Sequence, residues 1–330
     1  MSIACKLLAL LLMYHVSAVS VEEIYRSPAP HEVCSAIDLE TKSTDYSLVT
    51  QAGPNKQLME AGIRAALRIM QLPGWARTHH VVEVFAGRCT ITKAAWKLGL
   101  RAVPFDKELH TEQDVLDVRG FTWVLTLIAS IVPGGLLWLA PQCSTWLGFL
   151  SQKHMKRNSQ NEFWGDRGRT DVVDANTCAC LVAFFIAWAD ALGVRYCIEN
   201  PPTSLLWKFP PLAERLLETS CVYYHTWGGA MGWETLKPLG LATTIHPDFV
   251  QRLVFTRKAA IEAVNILAAS EGREVEPLIT LEAPKGGVGK CWKQGSKPRI
   301  KESQGYPEHF GHIVASMISS MFLLPARTNL

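Results

Sequence analysis

The chain has 330 residues, of which 48% are hydrophobic and 19% are charged. This composition is sufficient to bury a core, and it excludes a globally disordered chain. The length indicates one large domain, or one domain with a substantial appendage. The net charge of +3 and the isoelectric point near 8.3 are mildly basic, so they permit a nucleic-acid partner without indicating one.

The amino-terminal region divides into an apolar segment and a polar one. Residues 1–20 contain a single lysine, an apolar run from Leu7 to Met13, and small residues towards their end. This outline fits a secretory signal peptide as well as an apolar leader, and it is too short to predict a stable membrane span. Residues 21–54 are polar and interrupted by prolines, which predicts an irregular linker packed loosely against the core.

The stretch from His79 to Asp106 has the pattern of a nucleotide-cofactor site. Val81–Phe85 is short, apolar and β-branched, as expected of a buried parallel strand, and a glycine-containing turn follows it. Ile91–Leu98 has apolar residues at helical spacing, with Thr90 available as a cap, and a second apolar run ends at Asp106. In a doubly wound sheet such an acid lies beside the first turn and can accept hydrogen bonds from ribose hydroxyls.

These residues resemble the first motifs of S-adenosylmethionine-dependent methyltransferases, and the Phe-Ala-Gly form is most similar to the cytosine-C5 DNA methyltransferases. The resemblance implies an α/β, Rossmann-like methyltransferase sheet, mostly parallel, with an antiparallel C-terminal hairpin and helices on both faces. It also implies that S-adenosyl-L-methionine is the cofactor, bound by Phe85, Ala86, Gly87, Asp106 and Asp114.

Two features of this stretch need separate interpretation. Asp114 is the implied acid that follows a short strand and contacts the adenine amino group, whereas Asp117 is expected to cap the next helix. Cys89 stands where the family usually has a second glycine. The residues alone also fit any Rossmann-like turn that binds another ligand or none.

A further buried strand, Leu136–Ala140, leads to Cys143. Chemistry at a carbon of a pyrimidine ring needs a thiolate that adds to the base before methyl transfer, and a cysteine at this edge can supply it. The stretch resembles the catalytic loop of cytosine-C5 methyltransferases, which implies that Cys143 is the nucleophile, with Gln142 in place of the usual proline. The alternative is a small side chain that fills a strand end.

Residues 150–170 are predicted to form a polar, basic loop that also contains aromatic side chains. Cations beside aromatic rings suit phosphates and unstacked bases, so we expect a nucleic-acid substrate, with DNA favoured over RNA. A solvated surface loop is the alternative. The predicted substrate-binding residues are Lys153, Arg157, Arg167 and Arg169.

The next strand, Val194–Ile198, ends at Glu199 and Asn200. In cytosine-C5 methyltransferases a Glu-Asn pair at this place in the motif order includes an acid that hydrogen-bonds the target base, so the resemblance implies that both residues are catalytic. In amino-methyltransferases an Asn-Pro-Pro-aromatic motif holds an exocyclic amine, but Thr203 stands where that aromatic is expected. A capped strand end that opens a turn is the structural alternative.

The remaining chain completes the predicted domain. Cys221–Trp227 and Leu239–Thr244 are predicted to form the antiparallel hairpin that closes a methyltransferase-like core at residues 55–245. An irregular insertion with one helix is expected at 246–304, and a closing helix of the core at 305–330. Most of the nine cysteines lie in or beside predicted core elements, which favours reduced thiols, and no metal site is predicted.

The sequence therefore predicts an S-adenosylmethionine-dependent methyltransferase that acts on a nucleobase if it is active. Two alternatives stay open. One is a catalytically degenerate fold that serves as a binding module, suggested by Cys89 and Gln142. The other is an amino- or small-molecule methyltransferase that depends on Asn200. A nuclear or cytoplasmic location is favoured unless residues 1–20 are a signal peptide, and the oligomeric state stays open.

Overall fold

A computed structural model describes residues 47–72, 75–148, 152, 154–272, 281–282, 291–292 and 305–323. The predictions for residues 1–20, for Lys153, for residues 21–46 of the linker, and for residues 273–280, 283–290 and 293–304 of the insertion lie outside these ranges.

Six strands form an open, mixed sheet. They are β1 (His79–Val84), β2 (Ala102–Phe105), β3 (Ile131–Leu139), β4 (Arg195–Asn200), β5 (Val222–Trp227) and β6 (Pro238–Thr243). Their order along the sheet is β2-β1-β3-β4-β6-β5. The first four strands pair in parallel, whereas β6 is antiparallel to both β4 and β5. The predicted α/β sheet, mostly parallel with an antiparallel C-terminal hairpin, is confirmed.

The helices are α1 (Lys56–Ile69), α2 (Thr90–Lys97), α3 (Val118–Ala129), α4 (Thr170–Ala191), α5 (Pro210–Glu218), α6 (Pro247–Val250), α7 (Arg257–Ser270) and α8 (Glu308–Leu323). A separate two-stranded ribbon pairs β7 (Leu281–Glu282) with β8 (Cys291–Trp292).

Side chains alternate between two hydrophobic clusters, one on each face of the sheet, because successive residues of a strand point to opposite sides. Val82 and Val84 of β1 belong to the cluster that contains α1, α3, α4 and α5. Val81 belongs to the cluster that contains α2 and α8. Helices therefore cover both faces, as predicted. The alternation also places Glu83 on the α2 and α8 face.

Helix α4 is the longest apolar helix in the part of the chain that the structure describes. Its length and composition would suit a membrane span, but 78% of its apolar window is buried inside the fold. This burial is what a core helix of an α/β sheet requires.

Two stretches differ from the sequence expectation. Strand β3 begins at Ile131 and includes Pro133–Gly135, which the sequence predicts as a turn. The pairing with β1 shifts between His79 and Val81, so a bulge accommodates the prolyl and glycyl residues. The described end of the linker, residues 47–54, is irregular as predicted, but it is not loosely packed. Leu48 is fully buried there, and its N–H donates to the Leu116 carbonyl at 2.7 Å.

The described part of the predicted insertion contains the one helix that was expected there, α7, and in addition the short helix α6. Helix α7 buries Ala260, Val264 and Ala268 along one side. This spacing is that of an amphipathic helix packed on the body of the protein.

Candidate active site

The turn between β1 and α2 has an unusual backbone. Phe85, Gly87 and Cys89 all have positive φ, at 61°, 49° and 56°. For residues other than glycine this left-handed region costs about 1–2 kcal/mol, and such strain is concentrated at functional sites. A Cβ added at Gly87 would meet no atom within 4 Å, so the space above the turn is open. Ala86, which lies between Phe85 and Gly87, is buried. The turn can therefore accept a ligand over its exposed glycine.

Asp106 lies beside this turn, where the sequence predicts it. One carboxylate oxygen, Oδ2, accepts from the Gly87 N–H at 2.9 Å, and Oδ1 accepts from the Glu108 N–H at 2.8 Å. These bonds fix the carboxylate at the carboxyl edge of β2. Each oxygen has a second lone pair, so the group retains acceptor capacity for a hydroxyl.

Asp114 is not preceded by the short strand that the family motif implies, because the described residues between β2 and α3 form turns. Its carboxylate is half-buried and accepts from the Leu116 N–H at 3.0 Å. Asp117 caps α3 by accepting from the Arg119 N–H at 2.7 Å, as expected. Asp114 thus serves its own turn, and any contact with a cofactor is additional to that role.

Glu83 is a fully buried acid that the sequence analysis does not assign to the site. Its Oε2 accepts from both the N–H and the hydroxyl of Thr92, at 2.8 and 2.6 Å. Its Oε1 is also buried and has no partner among the described residues. Burial raises the pKa of this carboxyl from 4.5 to about 7, although the bonds from Thr92 oppose the rise.

The position of Glu83 explains how α2 begins. The side chain of Cys89, at the N-cap, makes no capping hydrogen bond within the described structure. Glu83 supplies an acceptor to the first turn of α2 from inside the sheet instead. The amino terminus of α2 is therefore already occupied by a carboxyl group.

Glu199 lies at the carboxyl end of β4 and is nearly buried, with 8% of its surface exposed. The Tyr306 hydroxyl donates to its Oε2 at 2.9 Å. The same hydroxyl accepts from Trp138 Nε1 at 3.2 Å. Tyr306 lies two residues before α8, so the segment that leads into this helix provides the partner of the predicted base-binding acid.

Cys143 follows β3 and is partly exposed. Burial raises the pKa of its thiol, the charge of Glu199 raises it further, and Lys237 opposes both effects. Burial lowers the pKa of Lys237, whereas Glu199 and Cys143 act to raise it. The Lys237 ammonium also lies over the ring of Trp233, 4.9 Å from its centroid. The thiol, the carboxylate and the ammonium therefore form one electrostatic group at the carboxyl edge.

Asn200, the last residue of β4, connects this strand to the loop that carries Cys143. Its Nδ2 donates to the Pro141 carbonyl at 2.8 Å, while its buried Oδ1 has no partner in the ranges described. Only 1% of its surface is exposed. The side-chain amide of Asn200 therefore holds the loop after β3 in place through its hydrogen bond to Pro141.

The predicted substrate-binding arginines separate into different roles. Arg157 is fully buried, and its guanidinium donates to the Thr145 carbonyl at 2.9 Å and to Asn176 Oδ1 at 2.7 Å. It also lies 3.5 Å from the ring centroid of Trp146. Burial lowers its pKa to about 10. The prediction that Arg157 contacts substrate is corrected, because its donors are directed into the protein interior.

The other two described arginines are at the surface. Arg167 lies 4.7 Å from the ring centroid of Trp164. Arg169 forms a two-point contact with Asp171, at 3.1 and 2.9 Å. Exposed Arg167 and half-buried Trp164 bring a cation and an aromatic ring together, which is the combination predicted for the loop.

Sequence reasoning missed three members of the site: Glu83, Lys237 and Tyr306. Glu83 carries a visible signal, since an acid interrupts an otherwise apolar strand. Lys237 lies between the two strands of the predicted hairpin and Tyr306 lies at the start of the predicted closing helix, but nothing in their local pattern assigns them a role. In the described part of the chain, no group of three or more histidine, cysteine, aspartate or glutamate residues could hold a metal ion.

Comparison with known proteins decides little here. No protein-family model and no curated protein matches the chain. The methyltransferase resemblance therefore rests on the sequence motifs.

Proposed function

We propose that the protein binds S-adenosylmethionine over the turn between β1 and α2, and transfers its methyl group to a carbon of a nucleobase. The observation that carries the proposal is the carboxyl group of Glu83 at the amino terminus of α2. This carboxyl group distinguishes cofactors that contain a pyrophosphate from S-adenosylmethionine, which has none.

In dinucleotide-binding Rossmann folds the pyrophosphate binds the N–H groups at the start of the first helix. Here Glu83 accepts from the Thr92 N–H at 2.8 Å, so one of these donors is already used. A phosphate in the same place would also be repelled whenever the carboxyl is ionised. S-adenosylmethionine has no phosphate and carries a positive sulfonium, so an acidic turn suits it. The fixed carboxylate of Asp106 is placed to accept from ribose hydroxyls.

Bound S-adenosylmethionine would supply an electrophilic methyl group. Cys143 is the candidate nucleophile, and Lys237 favours its thiolate, because a nearby positive charge lowers the pKa of a thiol. Glu199 is the candidate acid that hydrogen-bonds the base. The charge of Glu199 acts on Cys143. This interaction supports a mechanism in which the thiolate attacks a ring carbon while Glu199 hydrogen-bonds the neighbouring edge of the same base.

Calorimetric titration tests the cofactor class. We expect S-adenosylmethionine to bind and NAD to give no heat at the same concentration. Asp106→Asn is expected to weaken binding about tenfold, because a hydrogen bond to a charged acceptor contributes about 1.5–3 kcal/mol. Glu108→Gln, on an exposed neighbour, is the matched control and is expected to bind normally. Absence of binding at millimolar S-adenosylmethionine would refute the proposal.

A catalytically degenerate binding module is the second candidate. The rise in the pKa of Cys143 favours it, because the thiol is protonated at neutral pH. An assay for transfer of a tritiated methyl group to cytosine-containing DNA distinguishes an active methyltransferase from a binding module. For an enzyme, Cys143→Ser should abolish transfer while cofactor binding stays intact. Binding without transfer in the unmodified protein would establish the module.

The amino-methyltransferase alternative is less well supported. That chemistry needs the Oδ1 of Asn200 to accept from an exocyclic amine, but this oxygen is buried, and only 1% of the surface of Asn200 is exposed. Such an enzyme would retain activity after Cys143→Ser.

A further inference from the structure

Tyr306 is in contact with two separate parts of the candidate site. Its hydroxyl donates to Glu199 Oε2 at 2.9 Å and accepts from Trp138 Nε1 at 3.2 Å. Its backbone carbonyl accepts from Thr90 Oγ1 at 3.1 Å. Thr90 is the first residue of α2, directly after the cofactor turn. One residue therefore joins the predicted base-binding acid to the helix that carries this turn.

Packing fixes the ring of Tyr306. The ring meets Trp138 and Trp233 edge to face, with centroids 6.4 and 5.9 Å apart, and it contacts Phe310 at 4.6 Å. Below it, α8 crosses α2 so closely that a Cβ added at Gly311 would lie 2.5 Å from the Thr90 carbonyl oxygen. The hydroxyl consequently has little freedom to leave Glu199.

The chemistry of this contact suits a fixed donor. Burial and the charge of Glu199 raise the pKa of Tyr306 well above 10, so the hydroxyl stays protonated and can donate at any physiological pH. A carboxylate has two oxygens, and a donor on one of them sets the plane in which the other is presented. Lys237, from the hairpin, and Cys143, from the loop after β3, both interact electrostatically with the same carboxylate.

We propose that Tyr306 is a positioning residue, which holds the Glu199 carboxylate in one orientation towards Cys143 and anchors it to α2 through Thr90. The inference rests on the proposed function in one respect, namely that Glu199 is the acid that contacts the target base. The orientation itself can be tested without any substrate.

The thiol of Cys143 reports on Glu199, because the charge of that carboxylate raises the pKa of the thiol. Cofactor-free protein is alkylated with iodoacetamide across a range of pH, and modification of the Cys143 peptide is followed by mass spectrometry. Four proteins are compared: the unmodified chain, Tyr306→Phe, Glu199→Gln and the double variant. Tyr306→Phe is expected to move the alkylation midpoint by about 0.3 pH or more, equivalent to about a twofold change in thiolate fraction. The double variant should have the same alkylation midpoint as Glu199→Gln alone, because the carboxylate through which Tyr306 acts is absent from both.

Tyr196→Phe is the matched control, since it also removes a buried tyrosine hydroxyl, in contact with Thr219 Oγ1 at 2.5 Å. It is expected to leave the Cys143 midpoint unchanged. An unchanged midpoint in Tyr306→Phe, or an equal shift in both Glu199 backgrounds, would overturn the proposal, because a role limited to packing does not depend on the carboxylate.

Urea unfolding of the same four proteins gives a second measurement. Tyr306 and Glu199 should be coupled by about threefold or more in the unfolding equilibrium constant, as hydrogen-bonded neighbours are. Additive effects would count against the contact. Neither measurement uses S-adenosylmethionine, so failure of the cofactor to bind would remove the proposed function and leave this inference standing.

Discussion

Cys89 adopts a backbone conformation that glycine prefers, with φ 56° and ψ 36°. Cys89→Gly and Cys89→Ala both remove the buried thiol, so their difference isolates the backbone. We expect the glycine variant to be more stable by about 1 kcal/mol, because left-handed φ is strained for alanine and not for glycine. Urea unfolding measures this difference. Equal stabilities would mean that the turn relaxes once the thiol is gone.

Arg157 is expected to act on stability rather than on substrate binding. Arg157→Lys keeps the charge but loses the guanidinium group that donates hydrogen bonds to Thr145 and Asn176. The free energy of unfolding should therefore fall by about 2–3 kcal/mol. Arg167→Lys, at the surface, should change it by less than about 0.5 kcal/mol. If Arg157→Lys instead weakened DNA binding at unchanged stability, the substrate role predicted from the sequence would be restored.

Single residues differ in how far the sequence reveals their place in the site. Cys143 and Asp106 follow buried strands and Glu199 lies near the end of another, and the carboxyl ends of parallel strands meet at one edge, so their placement at this edge could be predicted. The contact between Tyr306 and Glu199 spans 107 residues, and no local pattern encodes it. Arg157 was misplaced because a basic residue in a polar stretch usually faces solvent, whereas here tertiary packing encloses it.

Among the elements, helix α8 depends on Gly311 to approach α2. A Cβ at that position would lie 2.5 Å from the Thr90 carbonyl oxygen. Gly311→Ala should therefore lower the free energy of unfolding by about 1–3 kcal/mol, through overpacking. Alanine is the better helix former, so a loss reports the clash and not helix propensity.

His312→Ala, on the exposed side of the same helix, controls for composition and should be close to neutral. Both variants are compared by urea unfolding. Stabilisation by Gly311→Ala would show that α8 can move away from α2 at no cost.

The strands were predictable because parallel strands covered on both faces produce short, continuous apolar runs. β2 was predicted at its observed bounds, Ala102–Phe105, and β1 within two residues at each end. β3 was predicted too short, since Pro133–Gly135 has the composition of a turn. Pairing with β1 prevails over that local preference, because the bulge lets the chain continue in the sheet.

At the scale of the whole molecule, Glu83 makes stability depend on pH. Its pKa is about 7 in the folded protein against an ordinary value of 4.5, so the folded state binds this proton more tightly. The contribution to stability is complete below about pH 4.5 and is lost as the pH rises through about 7. Relative to Glu83→Gln, the unmodified protein should lose roughly 2–3 kcal/mol between pH 5 and pH 8.

Urea unfolding of both proteins at the two pH values measures this loss, and all other titrating groups cancel in the comparison. A constant difference between Glu83→Gln and the unmodified protein would show that Glu83 is ionised throughout.

The overall architecture was predicted from the family resemblance, and the order of elements agrees with it. Alternating strands and helices predict a parallel sheet covered on both faces, and two late strands joined by a glycine-rich turn predict a hairpin. The position of β6 between β4 and β5 could not be predicted from the strand patterns, because the residue pattern within a strand does not show whether the strand lies at the edge of a sheet or between two others. The reaction could not be predicted either, because one fold serves many chemistries.

The contact between Tyr306 and Glu199 also has a consequence in time. All six strands have been synthesised by residue 243, but Tyr306 and α8 are made later. Helix α8 belongs to the hydrophobic cluster on one face of the sheet, so that cluster is incomplete until α8 has been made. The same late segment therefore completes both the core and the contact with Glu199.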